Sequence, residues 1–232
     1  MDVNEVKEPE VEVTENEEEK ITIDPEKIIV VASDGEESNS ILPDPALKRY
    51  YENLNNRVIW ITDEIDESVY SIISQIIMFN REDRDINDYY DRKPIRLIIS
   101  SPGGSLDHAR MLISIMNISK TPIITIAVGC VASAASLVYL AGHLRYAIDF
   151  SYFVFHKGGI DGLSGNFTEV TPFMKNYVQD IQEVIDLYKQ LTTYKPEYIE
   201  EKLSKGDWYI RLDEALENGV VDELIDDIDS LM

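Results

Sequence analysis

Ser133 is the residue in this sequence that is best placed to act as a nucleophile. It follows an apolar, β-rich run, Ile123 to Val128, and a small-residue turn at Gly129, and it precedes an Ala/Leu/Val stretch that ends at Gly142. A strand that turns sharply into a helix exposes one side chain at the helix N-terminus, where free backbone N–H groups and the helix dipole favour negative charge. A lone serine there is usually an ordinary N-cap, so the interpretation depends on the residues that accompany it.

Serine catalysis requires an imidazole that takes the hydroxyl proton and an acid that orients the imidazole. The sequence contains three histidines. His108 lies early in the helix predicted after Gly104, and His143 lies just beyond a predicted helix end. His156 ends a β-rich run, and strand ends are where α/β proteins present functional groups. His156 is therefore the predicted base, although a lone histidine at such a place is usually structural.

Serine catalysis also needs backbone N–H donors for the oxyanion of the tetrahedral intermediate. The turn Pro102-Gly103-Gly104 follows a predicted strand, and its glycines leave the backbone free to aim amides into a site. Pro-Gly-Gly alone is weak evidence, because it also forms ordinary turns.

Composition limits the classes of protein to which this chain can belong. Its 232 residues are 44% hydrophobic, which suits one domain, or one domain with a tail. No apolar run reaches 18 residues and the N-terminus has no apolar signal region, so we expect neither a membrane span nor secretion. The single cysteine, Cys130, excludes an internal disulfide framework and is interpreted as a small core residue. The net charge of −23 disfavours nucleic acid and anionic membranes as partners, and a cytoplasmic protein is expected.

The N-terminal segment differs from the rest of the chain. Residues 1–40 carry fourteen acidic residues against three lysines. This charge predicts a disordered extension over 1–41, followed by one folded domain over 42–232. Lys27 to Ala32 is apolar enough to pair as a strand. The extension is interpreted as a solubilising tail, with a gating or pro-segment role as the alternative.

Strands and helices alternate in the remaining sequence, which predicts βαβ units and a largely parallel sheet. The run Arg81 to Lys93 is highly charged and predicts a surface loop. Asp207 is predicted to begin a short turn rather than a strand. The predicted helices are 44–55, 66–80, 106–119, a small-residue helix ending near 141, 169–191, 196–203 and 212–218, and the predicted strands are 57–62, 95–100, 123–128, 146–148 and 152–156.

Several motifs in this order resemble the ClpP peptidase family. They are Ser-Pro-Gly-Gly-Ser at 101–105, Gly-x-x-Ala-Ser at 129–133 with Ala-Gly at 141–142, Phe-His at 155–156, and Asp-Glu-Ala-x-x-x-Gly-Val-Val-Asp at 213–222. The resemblance runs from about Leu42 to Leu224. It implies an α/β, ClpP/crotonase-like fold with repeated βαβ units and a protruding handle made of a strand and a long helix.

The resemblance also implies roles for individual residues. Ser133 matches the nucleophile, His156 the general base and Asp207 the acid, eight residues before Ala215 of the closing motif. The expected oxyanion donors are the backbone amides of Gly104 and Ala134. The family's substrate-binding positions correspond to Gly103, Gly158 and Gly159, the last two in the handle segment 158–166 that would pair with the substrate backbone.

Other residues compete for these roles. Ser136 lies one helical turn beyond Ser133, where the amides are no longer free, and is interpreted as structural. Three further aspartates could supply the acid. They are Asp161, Asp213 and Asp222. Asp213 is typical of a helix start, and the other two lie in predicted loops or turns.

The expected function is that of a self-compartmentalised serine endopeptidase that cleaves unfolded polypeptides inside two stacked seven-membered rings. We expect no metal and no cofactor. The family's unfoldase-docking pocket uses aromatic residues where this chain has Ile98 and Ile118, which puts an AAA+ unfoldase partner in doubt. With the acidic extension and the 81–93 insertion, these departures suggest a divergent member, and a phage origin is one interpretation.

Three alternative functions are compatible with the same motifs. The first is a phage head-maturation protease of ClpP type that works without an ATPase. The second is a catalytically idle ring subunit, against which the complete set of three residues argues. The third is acyl-CoA chemistry on the related crotonase fold, where a Ser-His-Asp set would be superfluous.

Overall fold

The computed structural model of the chain describes residues 44–160 and 163–228. The chain divides into two compact units, with the boundary between Glu52 and Asn53. Of the first unit only residues 44–52 are described, and all of them except Asp44 belong to a helix. The predicted extension over 1–41, the predicted strand at 27–32 and Asp161 lie outside the described residues, so the domain boundary at 41/42 stays a prediction.

Helices and strands alternate through most of the chain, as the sequence predicts. A short 3₁₀ turn at Tyr89–Asp91 interrupts the connection between the second helix and the second strand. The elements, in chain order, are α1 (Pro45–Asn55), β1 (Val58–Ile61), α2 (Val69–Glu82), β2 (Ile95–Ser101), α3 (Leu106–Ile118), β3 (Ile123–Ala132), α4 (Ala134–Leu140), β4 (Leu144–Ile148), β5 (Tyr152–Phe155), α5 (Phe167–Leu191), α6 (Pro196–Ser204), β6 (Trp208–Arg211), α7 (Leu212–Glu217) and β7 (Glu223–Ile225).

The sheet has seven strands and is largely parallel, which agrees with the predicted fold class. Five strands follow the order β1-β2-β3-β4-β7 with all pairs parallel. β5 pairs in parallel with the end of β3, and β6 pairs antiparallel with β5. The turn predicted from Asp207 is wrong, because the residues that follow form the strand β6. β6 is a four-residue strand whose side chains alternate between buried and exposed, too short to give a clear periodic signal.

The central strand β3 is longer than predicted. It continues through Gly129 to Ala132, so the turn predicted at Gly129 does not exist, and α4 begins directly after Ser133. The first part of β3 pairs with β4 over 124–127, and its last three residues pair with β5. β3 therefore pairs first with β4 and then with β5, and Ser133 lies directly after the last residue of β3.

The main core lies between the sheet and the helices that cover one of its faces. Its largest fully buried side chains include Tyr139, Phe153, Phe155 and Tyr188. A second, small cluster of Val58, Ile98 and Ile126 lies apart from this core. No helix in the described parts of the chain is both long enough and apolar enough to cross a membrane.

The charged segment 81–93 is not the simple surface loop that its composition predicts. Its first two residues extend α2, and Asp83 is buried. Asp83 accepts hydrogen bonds from both terminal nitrogens of Arg57, at 2.6 and 2.8 Å, and from the Thr121 hydroxyl at 2.8 Å. The Arg57 hydrogen bond lowers the pKa of Asp83 below its ordinary value of 3.8. A buried ion pair thus links the start of β1 to the end of α2.

Candidate active site

Ser133 occupies a strained turn between β3 and α4. Its backbone has φ 53° and ψ −129°, a conformation that costs an L-residue about 1–3 kcal/mol. The Ser133 N–H donates to the carbonyl of Val154 on β5 at 2.9 Å, which fixes the junction to the neighbouring strand. A serine held in such a turn presents its hydroxyl beyond the end of the strand, as in the nucleophile elbows of hydrolases.

The pairing of β3 with β5 brings His156 to this serine. Ala132 lies opposite Val154, so the residues that follow on each strand leave the sheet side by side. His156 Nε2 lies in hydrogen-bond contact with Ser133 Oγ. Two residues that are 23 positions apart in the sequence thus meet in the arrangement of a nucleophile and its base.

Asp207 reaches the opposite side of the imidazole through the strand that the sequence analysis missed. Trp208 of β6 pairs with Phe155 of β5, so Asp207 precedes β6 just where His156 follows β5. Asp207 Oδ1 is 3.6 Å from His156 Nδ1, longer than a hydrogen bond, and the Asp207 side chain is 58% exposed. Catalytic hydrogen bonds are often long without substrate and tighten when it binds.

The glycine turn after β2 is held in place by the loop that follows β1. Ile65 donates its N–H to the Gly103 carbonyl at 2.7 Å and accepts from the Ser105 N–H at 2.8 Å. In a parallel bridge of this kind the amide of the intervening residue, Gly104, points away from Ile65. The Ser101 hydroxyl, which donates to the Asp63 carbonyl at 2.6 Å, supports the turn further.

Two backbone N–H groups beside Ser133 have no hydrogen-bond partner in the described part of the chain. One belongs to Gly104, and the other belongs to Ala134, the first residue of α4, where a helix leaves its amides free. Both residues line the same cleft as Ser133 and His156. These are the two amides that the sequence analysis assigns to the oxyanion.

Close packing explains why glycine occupies both positions of the turn. A Cβ on Gly103 would stand 2.5 Å from the Cβ of Ser133, and one on Gly104 would stand 2.5 Å from the carbonyl oxygen of Ile65. Their φ angles, 104° and 145°, are also unfavourable for other residues. Gly103, predicted to bind substrate, thus packs directly against the serine and is not among the residues that line the cleft.

The cleft has a volume of about 630 Å³ and includes Gly158 and Gly159, the other two predicted substrate-binding residues. In the described parts of the predicted handle segment, 158–160 and 163–166, no residue belongs to a strand. The Tyr177 hydroxyl donates to the Gly158 carbonyl at 3.2 Å. One wall of the cleft is therefore irregular backbone that a hydrogen bond attaches to α5.

The competing residues lie elsewhere or are engaged. Ser136 is fully buried and donates to the Ser133 carbonyl at 2.6 Å, so its hydroxyl does not reach the cleft. Asp222 pairs with Arg145, and His143 Nδ1 accepts the N–H of Ile123 at 3.0 Å. Burial lowers the pKa of His143. Neither His108 nor Asp213 lines the cleft. Among the described residues, no group of three or more His, Cys, Asp or Glu side chains is arranged to hold a metal ion.

One residue of the site was not found by sequence reasoning. Tyr188 of α5 is fully buried, its ring stacks on Phe155 at a centroid distance of 4.1 Å, and its hydroxyl lies 3.2 Å from Ser136 Oγ. Burial raises the pKa of Tyr188 to about 12, so the phenol keeps its proton. The available signal was its position on the buried stripe of α5 that begins at Val184 and Ile185.

The chain is similar to known proteins in both fold and sequence. The structure of an asparagine-to-aspartate mutant of ClpP1 from Listeria monocytogenes is similar, with a TM-score of 0.66 and 21% sequence identity, over 79% of this chain and 99% of that one. At this identity the likeness shows the fold. In sequence, the chain matches the Clp protease family over residues 44–227. This match covers most of the sequence, and the chain therefore belongs to the Clp protease family.

Proposed function

We propose that this chain is a serine endopeptidase of ClpP type, with Ser133 as nucleophile, His156 as general base and Asp207 as the orienting acid. The observation that carries the proposal is the contact between His156 Nε2 and Ser133 Oγ, formed beside two free backbone amides. An imidazole in contact with a serine hydroxyl that lines a cleft is the arrangement that activates serine. Family membership supports the same reaction class.

The reaction proceeds in two stages. Ser133 Oγ attacks the scissile carbonyl while His156 Nε2 takes its proton, and the amides of Gly104 and Ala134 stabilise the oxyanion. His156 then protonates the leaving amine, and the acyl-enzyme forms. Water, activated by the same imidazole, releases the acyl group. Asp207 holds the proton of the imidazole on Nδ1, and 3.6 Å is close enough for a small movement to complete that hydrogen bond.

We also propose that the peptidase works as a ring assembly. The N-terminal half of α5 exposes large apolar side chains, with Phe167 84%, Phe173 51% and Val178 61% exposed. A surface of this kind favours burial against another protein. Stacked rings would enclose a site that is otherwise accessible to folded proteins.

One surface of the chain supports an unfoldase partner as part of the proposal. Of the two positions where aromatic residues were expected, Ile98 is buried and Ile118 is 74% exposed. The neighbouring strand supplies an aromatic residue: Trp60 pairs with Ile98 and is 50% exposed. A Trp60→Ala variant therefore tests whether stimulation by a Clp-type ATPase depends on this surface.

The central experiment is labelling with a fluorophosphonate, which reacts with activated serines. We expect the wild type and Ser136→Ala to be labelled and Ser133→Ala to remain unlabelled, with hydrolysis of an unfolded fluorescent polypeptide following the label. The oligomeric state is measured on the same samples by light scattering. An assembled wild type that takes no label, or a Ser133→Ala variant that keeps it, would refute the proposal.

A further inference from the structure

A chain of two hydrogen bonds runs behind the candidate site and connects the peptide of its nucleophile to helix α5. The Ser136 hydroxyl lies 2.6 Å from the Ser133 carbonyl oxygen, and the Tyr188 hydroxyl lies 3.2 Å from Ser136 Oγ. The ring of Tyr188 stacks on Phe155, the residue that precedes His156.

The direction of both hydrogen bonds follows from the carbonyl at one end. A carbonyl can only accept, so Ser136 must give its single hydroxyl proton to Ser133. Ser136 Oγ then accepts from the Tyr188 hydroxyl. Neither buried hydroxyl is therefore left unpaired.

This arrangement determines where a neighbouring amide points. The Ser133 carbonyl and the Ala134 N–H belong to one planar peptide and point in opposite directions. Two donors hold the carbonyl, the Ser136 hydroxyl at 2.6 Å and the Ser136 N–H at 2.9 Å. Fixing the carbonyl on the buried side therefore aims the Ala134 N–H at the cleft, in spite of the strained φ of 53° at Ser133.

We propose that Tyr188 and Ser136 are positioning residues that hold in place the oxyanion-donating peptide between Ser133 and Ala134. This inference rests on the proposed function, and it adds a role for the long helix α5 in setting the geometry of the site. A purely structural role would not require the hydroxyls. The ring of Tyr188 already fills its site and stacks on Phe155, which phenylalanine would do equally well.

The test uses variants that remove one hydroxyl and little else. We expect Tyr188→Phe and Ser136→Ala each to lower kcat and the fluorophosphonate labelling rate by about tenfold. This loss is larger than that of one typical hydrogen bond and smaller than that caused by displacing a reacting group. KM should stay within about twofold, since the donor acts on the oxyanion rather than on the bound substrate. The double variant should be no slower than the slower single variant, because either change breaks the same chain.

Tyr139→Phe is the matched control. Like Tyr188, Tyr139 is a fully buried tyrosine with a hydrogen-bonded hydroxyl. Its hydroxyl donates to the backbone carbonyl of Tyr146 at 3.0 Å, and the residue does not line the cleft. We expect it to lower the melting temperature about as much as Tyr188→Phe while leaving kcat unchanged.

The outcomes separate the two proposals. Wild-type rates in both Tyr188→Phe and Ser136→Ala, or an equal loss of rate in Tyr139→Phe, would overturn the positioning role and leave the serine peptidase intact. Independent, multiplicative losses in the double variant would overturn the single connected chain. A wild type that takes no label, while remaining folded, would overturn both proposals.

Discussion

Replacing Gly103 by alanine tests whether the glycine turn and the serine are packed as closely as the structure indicates. The new Cβ would stand 2.5 Å from the Cβ of Ser133, 2.8 Å from the carbonyl oxygen of Ala132 and 3.0 Å from the nitrogen of Ala134. Carbon atoms in contact normally keep a separation of about 3.5 Å, so the turn and the serine must separate by about 1 Å.

The expected cost has two parts. A φ of 104° strains any residue other than glycine by about 1–3 kcal/mol, and forcing a methyl group into a packed interior adds about 1–3 kcal/mol. We therefore expect the free energy of unfolding to fall by about 2–6 kcal/mol. A displacement of about 1 Å at the nucleophile should also slow fluorophosphonate labelling by about 100-fold.

Gly129→Ala is the control that separates strain from collision. Gly129 also has a positive φ, 77°, but the nearest atom to its added Cβ is Ser100 Oγ at 3.6 Å. We expect this variant to lose only the 1–3 kcal/mol of strain and to be labelled at close to the wild-type rate. Both variants are measured by urea unfolding and by labelling at a temperature where each is folded. Equal stability and equal labelling in the two variants would refute the close packing of Gly103 against Ser133.

Two further predictions concern carboxylates. Asp207→Asn should lower kcat/KM by about 10–100-fold. We expect a smaller loss than for a buried acid, because the Asp207 carboxylate is exposed and lies 3.6 Å from His156 Nδ1. An unchanged kcat/KM would show that Asp207 takes no part in the mechanism. Asp83→Asn should lower the free energy of unfolding at pH 7 by about 3 kcal/mol, the low end of the range for breaking a buried ion pair, because it leaves the buried Arg57 with only the half-exposed Glu82 as an anionic partner. The pKa of Asp83 is lowered in the folded state, so its contribution is present above about pH 4 and is lost as the pH falls through that lowered value. The free energy of unfolding, measured in urea between pH 7 and 2.5, should therefore fall more steeply with decreasing pH in the wild type than in Asp83→Asn. Parallel pH profiles of the two proteins would contradict the buried ion pair.

Much of the fold follows from patterns within the sequence. Apolar runs separated by amphipathic stretches predict the alternation of strands and helices, and that alternation requires a largely parallel sheet. Ser133 at the start of a predicted helix and His156 at the end of a predicted strand could be chosen from the sequence, and they meet because β3 continues to Ala132 and pairs with β5.

The features that sequence reasoning missed depend on contacts between distant segments. The charges of 81–93 favour solvent, but Asp83 finds Arg57, a residue that comes before α2, and becomes buried. β6 is too short to be periodic and is defined by its pairing with β5. The link from Tyr188 to Ser133 passes through Ser136, a residue that inspection of the sequence treats as an ordinary part of a helix. Each of these requires a partner that spacing alone does not identify.

The antiparallel pair of β5 and β6 has a consequence for the order in which the site is completed during synthesis. β3 and β5 are made early and are close in the sequence, so Ser133 and His156 can be brought together while the rest of the chain is still being translated. Asp207 arrives with β6, after α5 and α6 have been made and have crossed back to the sheet. Contacts across so long a stretch of chain form late. A nascent chain thus carries Ser133 and His156 before Asp207, so the proposed three-residue site is complete only when almost the whole domain has left the ribosome.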